Sequence, residues 1–102
     1  MSTNEQLHPE QQRVHDDQTI NVMVRYITAT RQFVDPRAPR EKTLASLKQQ
    51  VLTFYGLVED ATKTYQLALG SIVQTNLSAD LGALAGTAHE LRFNLTEVLK
   101  QG

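Results

Sequence analysis

The stretch TLASLKQQVLTFYGL, residues 43–57, decides the fold, because it spells out one whole helix with a start and a stop. Thr43 can cap the first turn, its hydroxyl accepting from a backbone N–H that has no partner inside the helix. Leu44, Leu47, Val51 and Phe54 recur at helical spacing and make one apolar stripe, while Ser46, Lys48, Gln49, Gln50 and Thr53 lie largely elsewhere. Gly56 suits the left-handed residue that ends a helix, with Leu57 folding back on the last turn.

What flanks this helix reads as strand. Ile20, Val22, Val24 and Tyr26 alternate with Asn21, Met23 and Arg25, the period of a half-buried strand. Thr28 to Thr30 makes a turn, and Arg31 to Asp35 returns as a short second strand. Pro36 and Pro39 are expected to stop strand and helix alike, leaving a rigid loop up to Glu41. After the helix, Val58 to Lys63 is a polar connection, and Tyr65, Leu67 and Leu69 alternate as a third strand. Gly70-Ser71 turns the chain into a minimal fourth strand, Ile72-Val73. Leu77 to Leu81 fits one helical turn opened by Asn76 or Ser78, and Gly82 and Gly86 frame a turn. Leu91, Phe93 and Leu95 then alternate with Glu90, Arg92 and Asn94 as the last strand. The expected core is Ile20, Val22, Val24, Leu44, Leu47, Val51, Leu67, Leu69, Leu91 and Phe93.

One helix laid across a small sheet is an α+β arrangement, the β-grasp: a mixed sheet of four to five strands, one main helix and a short helical turn. In that layout the last strand lies centrally, beside the first and parallel to it.

Composition bounds the chemistry. At 102 residues there is room for one core. The expected organisation is a disordered arm over 1–18, a folded domain over 19–95 and a flexible tail over 96–102. The arm has Leu7 and Val14 as its only aliphatic residues after Met1, too little apolar surface to offset the entropy of ordering. His8 and His15 lie beside Asp16 and Asp17 in this arm, but a solvated tail explains them better than a metal site. No cysteine is present, which excludes a disulfide scaffold, a thiolate metal site and a thioester formed on the chain's own sulfur. No apolar run approaches the ~20 residues of a membrane helix, and the N-terminus lacks the apolar core of a secretory signal, so the expectation is a cytoplasmic protein.

The arm carries four acidic side chains against Arg13 alone; the remainder carries nine basic and seven acidic ones. Neither balance argues for nucleic acid. Arg25, Arg31, Arg37 and Arg40 are bunched in sequence and form a candidate interaction surface. No nucleophile elbow, phosphate loop or dinucleotide fingerprint is present, and Ser78, Asp80 and His89 read as turn residues rather than a triad. The chain is not expected to be an enzyme.

Several of these residues resemble ubiquitin. Val34-Asp35-Pro36 matches the Val-Glu-Pro that closes ubiquitin's second strand. Thr43-Leu44, followed by Leu47 and Val51, matches the opening of its helix, and Gly56-Leu57 its Gly-Ile ending. Asn76-Leu77-Ser78-Ala79-Asp80 is similar to Thr-Leu-Ser-Asp with one residue inserted. The likeness covers roughly residues 19 to 102 and points to a ubiquitin-like, prokaryotic protein modifier.

That resemblance implies conjugation through Gly102. An activating enzyme that consumes ATP would recognise the tail residues Val98, Leu99, Lys100 and Gln101. Conjugating enzymes, target proteins and a deconjugating peptidase are the implied partners of a monomer that needs no cofactor of its own. Glycine suits the position because a residue without a Cβ passes a narrow channel and leaves its carbonyl open to attack. The chain departs from ubiquitin in two ways. It ends Lys100-Gln101-Gly102 rather than in two glycines, which weakens a sulfur-carrier reading. By strand parity Met23, Arg25, Gln66, Ala68, Arg92 and Asn94 make a mainly polar outer face where ubiquitin is apolar. The alternative function is a non-covalent interaction module.

Overall fold

A computed structural model describes residues 19–100. The arm over 1–18, with His8 and His15, and the pair Gln101-Gly102 lie outside the described residues. The strands are β1 (Thr19–Tyr26), β2 (Gln32–Pro39), β3 (Lys63–Leu69), β4 (Ile72–Val73) and β5 (Glu90–Leu99); the helices are α1 (Leu44–Tyr55) and α2 (Leu81–Ala85). They form one sheet in the order β2-β1-β5-β3-β4. Strand β5 runs parallel to β1, with Val22 opposite Leu91 and Val24 opposite Phe93. The other neighbours are antiparallel. This is the mixed sheet and single long helix that the alternation and the helical stripe predict.

Helix α1 starts and stops as its residues dictate. The Thr43 hydroxyl accepts from the Ser46 amide at 3.2 Å. Gly56 is left-handed (φ 69°). Its amide donates to Thr53 O at 3.1 Å and the Leu57 amide to Leu52 O at 2.8 Å, the paired closure of a Schellman ending. Leu44, Leu47 and Val51 are buried completely, and Leu52 joins them. Phe54, expected in the stripe, is only half-buried and packs against the core, its ring edge-on to Phe33.

The core is wider than the set expected from sequence: Phe33, Ala38, Tyr65, Leu81 and Leu95 are also buried, while Leu69 is only partly so. Tyr55 ties helix to hairpin. Its hydroxyl accepts from the Phe33 amide at 3.0 Å and lies 2.8 Å from Arg31 O and 3.2 Å from Val24 O, both of which can take its proton. It stands between β1 and β2 at the Val24–Phe33 register pair.

Three boundaries differ from the expectation. Pro36 and Pro39 do not end β2. Pairing shifts at a bulge between Ile20–Ala38 and Val22–Asp35, which leaves Pro36 and Arg37 opposite Asn21. An outer strand has one unpaired side, so a residue without an N–H is tolerated there. Asp35 Oδ1 accepts the Arg37 amide at 3.3 Å within the bulge.

The second helical element lies at Leu81–Ala85 rather than Leu77–Leu81. Residues 77–82 run instead along residues 40–45. Ala79 O accepts from the Leu44 amide at 3.0 Å and Leu77 O from the Ala45 amide at 2.9 Å. Those amides open α1 and have no partner within it, so the demand of one helix end shapes a segment more than thirty residues away. Gly82 donates to Arg40 O at 2.8 Å. A Cβ on Gly82 would lie 3.0 Å from Arg40 Cβ, so this crossing leaves little room for any side chain.

The third difference is the length of β5. It continues through Thr96–Leu99, the residues expected to begin a flexible tail, because β3 starts at Lys63 and offers them a partner.

Candidate functional site: the end of β5 and the outer sheet face

Beyond Leu95, β5 loses one neighbour. The last β1 pair is Tyr26–Leu95, whereas β3 pairs continue as Gln66–Thr96, Tyr65–Glu97, Thr64–Val98 and Lys63–Leu99. The Lys100 amide then donates to Thr62 O at 2.8 Å, and Lys100 Nζ donates to Asp60 O at 3.2 Å. Leu95 is sealed in the core, Val98 is half-buried, and Leu99 is 74% exposed. Of the tail residues singled out from sequence, Val98, Leu99 and Lys100 thus lie on one paired strand and its exit; Gln101 and Gly102 fall outside the described residues.

The β3 side of this ribbon is fastened to the helix through Glu59. Its carboxylate lies 2.8 Å from Lys48 Nζ, accepts the Tyr65 amide at 2.9 Å and accepts the Thr64 hydroxyl. Burial pushes the Glu59 carboxyl up, but the Lys48 ammonium, the Thr64 hydroxyl and the Tyr65 amide outweigh it and hold its pKa down at about 2. Nearby, Asp60 Oδ1 accepts from the Thr62 amide (2.8 Å), the Thr62 hydroxyl (2.6 Å) and the Lys63 amide (3.1 Å). The Thr62 side chain leads these contacts in holding the Asp60 carboxyl below its usual range.

The four candidate arginines have separate surroundings. Arg31 stacks its guanidinium 4.5 Å from the centre of the Phe54 ring. Arg40 donates to Gly86 O, closing the loop after α2. Arg37 lies in the β2 bulge, and Arg25 rises from the outer face of β1. Two of the four are therefore spent on intramolecular contacts. Two lysines near α1 are engaged as well: Lys42 with Asp35 at 3.4 Å and with Gln50, and Lys48 with Glu59.

Parity alone missed part of the outer face. Arg25, Gln66, Ala68 and Asn94 floor a shallow depression of about 440 Å³, and Ile27 and Val73 add apolar surface at its rim. Ile27 is 76% exposed and Val73 40% exposed. Ile27 belongs to a turn, where strand parity says nothing, and its isolation among Thr28, Ala29 and Thr30 was the available signal. Asn94 Nδ2 donates to Gly70 O at 3.2 Å, which brings the β3–β4 turn, and with it Val73, to this face.

No family model and no curated protein sequence matches the chain. Solved structures do. An ubiquitin from Caldiarchaeum subterraneum is similar at 15% identity, covering 82% of this chain and 99% of that one, with a TM-score of 0.65. A ubiquitin-like domain from Arabidopsis thaliana is similar at 20% identity, over 83% of this chain and 81% of that one, with a TM-score of 0.57. A SUMO-mimicking protein, described as promoting DNA repair, is similar at 9% identity over 78% and 91%, with a TM-score of 0.60. The fold is therefore the ubiquitin-like β-grasp. Folds of this kind serve modifiers and interaction modules, and function must be argued from the site. No helix among the described residues is long and apolar enough to cross a membrane.

Proposed function

We propose that this chain is a ubiquitin-like protein modifier, joined to its targets through the carboxylate of Gly102. The observation that carries the reading is the path of β5. Strand β5 is locked between β1 and β3 as far as Leu95 and then runs along β3 alone as far as Leu99, so the described end of the chain lies at the margin of a rigid handle. A partner enzyme would supply the chemistry. A carboxylate oxygen of Gly102 attacks the α-phosphorus of ATP, pyrophosphate leaves, and an acyl-adenylate forms. A thiolate then attacks the glycine carbonyl and expels AMP. The chain contains no cysteine, so that thiolate is the partner's. A target amine finally displaces the thiolate, giving an isopeptide bond once the nitrogen loses its proton.

The test is incubation with ATP and extract of the source cell, followed by mass spectrometry of adducts at the Gly102 carbonyl. Adducts that vanish on deletion of Gly102, in a protein that melts like the parent, support the reading; adducts that survive the deletion sink it.

A second reading is favoured by the outer face. There, Ile27, Val73 and Arg25 make an apolar rim beside a cation, a surface on which a non-covalent partner could bury a side chain and place an acid. A binding module of this kind would keep its partners without Gly102 and lose them on Ile27→Asp with Arg25→Glu.

A further inference from the structure

We propose that residues 96–100 form a latch: a strand end zipped onto β3 in the free protein, which unzips at Thr96 when the carboxyl terminus is handed to an activating partner. The purpose of the latch rests on the modifier reading, whereas its existence can be tested separately.

The geometry defines what opens. In an antiparallel ladder, alternate residue pairs exchange both hydrogen bonds. Because Lys100 donates to Thr62 O, the exchanging pairs are Thr62–Lys100, Thr64–Val98 and Gln66–Thr96. The amides of Thr96, Val98 and Lys100 therefore all point into β3. The Tyr65 amide falls in the alternate set and faces away from β5, where Glu59 accepts it at 2.9 Å. Glu59 in turn is paired with Lys48 of α1. Strand β3 is thus held from behind by the helix, and β5 is the partner free to leave.

Apart from those ladder hydrogen bonds, little apolar burial resists that departure. Glu97, Leu99 and Lys100 are exposed and Val98 is half-buried, so the segment hides little apolar surface. The hinge is also marked. Leu95, the last residue with two neighbouring strands, is fully buried, and Thr96, the first with one, has its Oγ1 buried with no hydrogen-bond partner. A buried hydroxyl without a partner costs free energy that opening to water recovers.

The latch sets the reach of the terminus. At about 3.3 Å per residue, the two residues beyond Lys100 extend at most about 7 Å, whereas seven residues released from Thr96 extend about 23 Å. Release therefore adds about 16 Å of extended chain beyond the folded body.

The absence of native cysteine allows a reversible lock. Lys63 and Leu99 form a non-exchanging pair, whose Cα atoms approach to about 4.5 Å, within disulfide range. The double variant Lys63→Cys with Leu99→Cys should fold in both redox states. Oxidised, it should form ATP-dependent adducts in source-cell extract roughly tenfold or more slowly than its own reduced form, as expected when the competent state is withheld. Equal rates would overturn the latch and leave the modifier reading untouched. In the unmodified chain, the Val98 and Lys100 amides should exchange hydrogen roughly tenfold or more faster than those of Phe93 and Leu95, by local opening. If the unmodified chain forms no adduct, the modifier reading fails and exchange alone judges the latch. Exchange of Val98 and Lys100 at the rate of the core overturns it.

Discussion

Replacing Glu59 by Gln removes the charge that joins α1 to β3 while keeping an oxygen that can still accept from Tyr65 and Thr64. In the parent the carboxylate meets Lys48 Nζ at 2.8 Å, with side-chain exposures of 27% for Glu59 and 13% for Lys48. Its pKa is lowered from 4.5 to about 2. At roughly 1.4 kcal/mol per unit, that depression corresponds to an upper bound of about 3 kcal/mol. Water still reaches a quarter of the side chain and screens the pair, so the expected loss on Glu59→Gln is about 1–2 kcal/mol. For a domain this small such a loss lowers Tm by roughly 4–15 °C.

The sign with pH follows from the depressed pKa. The stabilisation is fully present above the unfolded value of 4.5 and is lost as pH falls through the folded value near 2. Thermal melts of parent and variant, followed by circular dichroism, should differ at pH 7 and converge near pH 2. Equal Tm values at pH 7 would refute the ion-pair argument. A difference that persists undiminished below pH 2 would show that the loss comes from packing instead of charge.

Leu47→Ala empties a fully buried position under the sheet and should cost about 2–5 kcal/mol, read from urea denaturation; a midpoint equal to the parent's would remove Leu47 from the core. Tyr55→Phe keeps the ring but leaves the Phe33 amide and the Arg31 carbonyl without their hydroxyl partner, a loss of about 1–3 kcal/mol with faster exchange at the Phe33 amide. Unchanged exchange there would mean that water replaces the hydroxyl at no cost. Gly82→Ala drives a methyl to 3.0 Å from Arg40 Cβ and 3.1 Å from Arg40 O, so it should destabilise by about 1–3 kcal/mol despite the better helix propensity of alanine. A stability gain would show that the residue 40–42 segment yields easily.

By itself the sequence determined the elements whose signals are local. Thr43 and Gly56 terminate α1 with atoms within a few residues of themselves, and the alternation of Val22, Val24, Leu91 and Phe93 turns one strand face inward whatever its neighbour. The Gly70-Ser71 turn and the pair Ile72-Val73 were legible for the same reason. Tertiary structure decided what depends on partners distant in sequence. Pro36 could stay in a strand only because β2 has a free edge, and that position in the sheet is invisible in the residues around it. Segment 77–82 took its conformation from the unpaired amides of α1 rather than from its own helix signals. The apolar rim of Ile27 and Val73 exists because a turn and a short strand far apart in sequence meet at one face. Thr96 to Leu99 carry too little apolar pattern to declare a strand. They became one because β3, held by Glu59 and Lys48, presents an edge at the right height, and backbone hydrogen bonds leave no trace in side-chain periodicity.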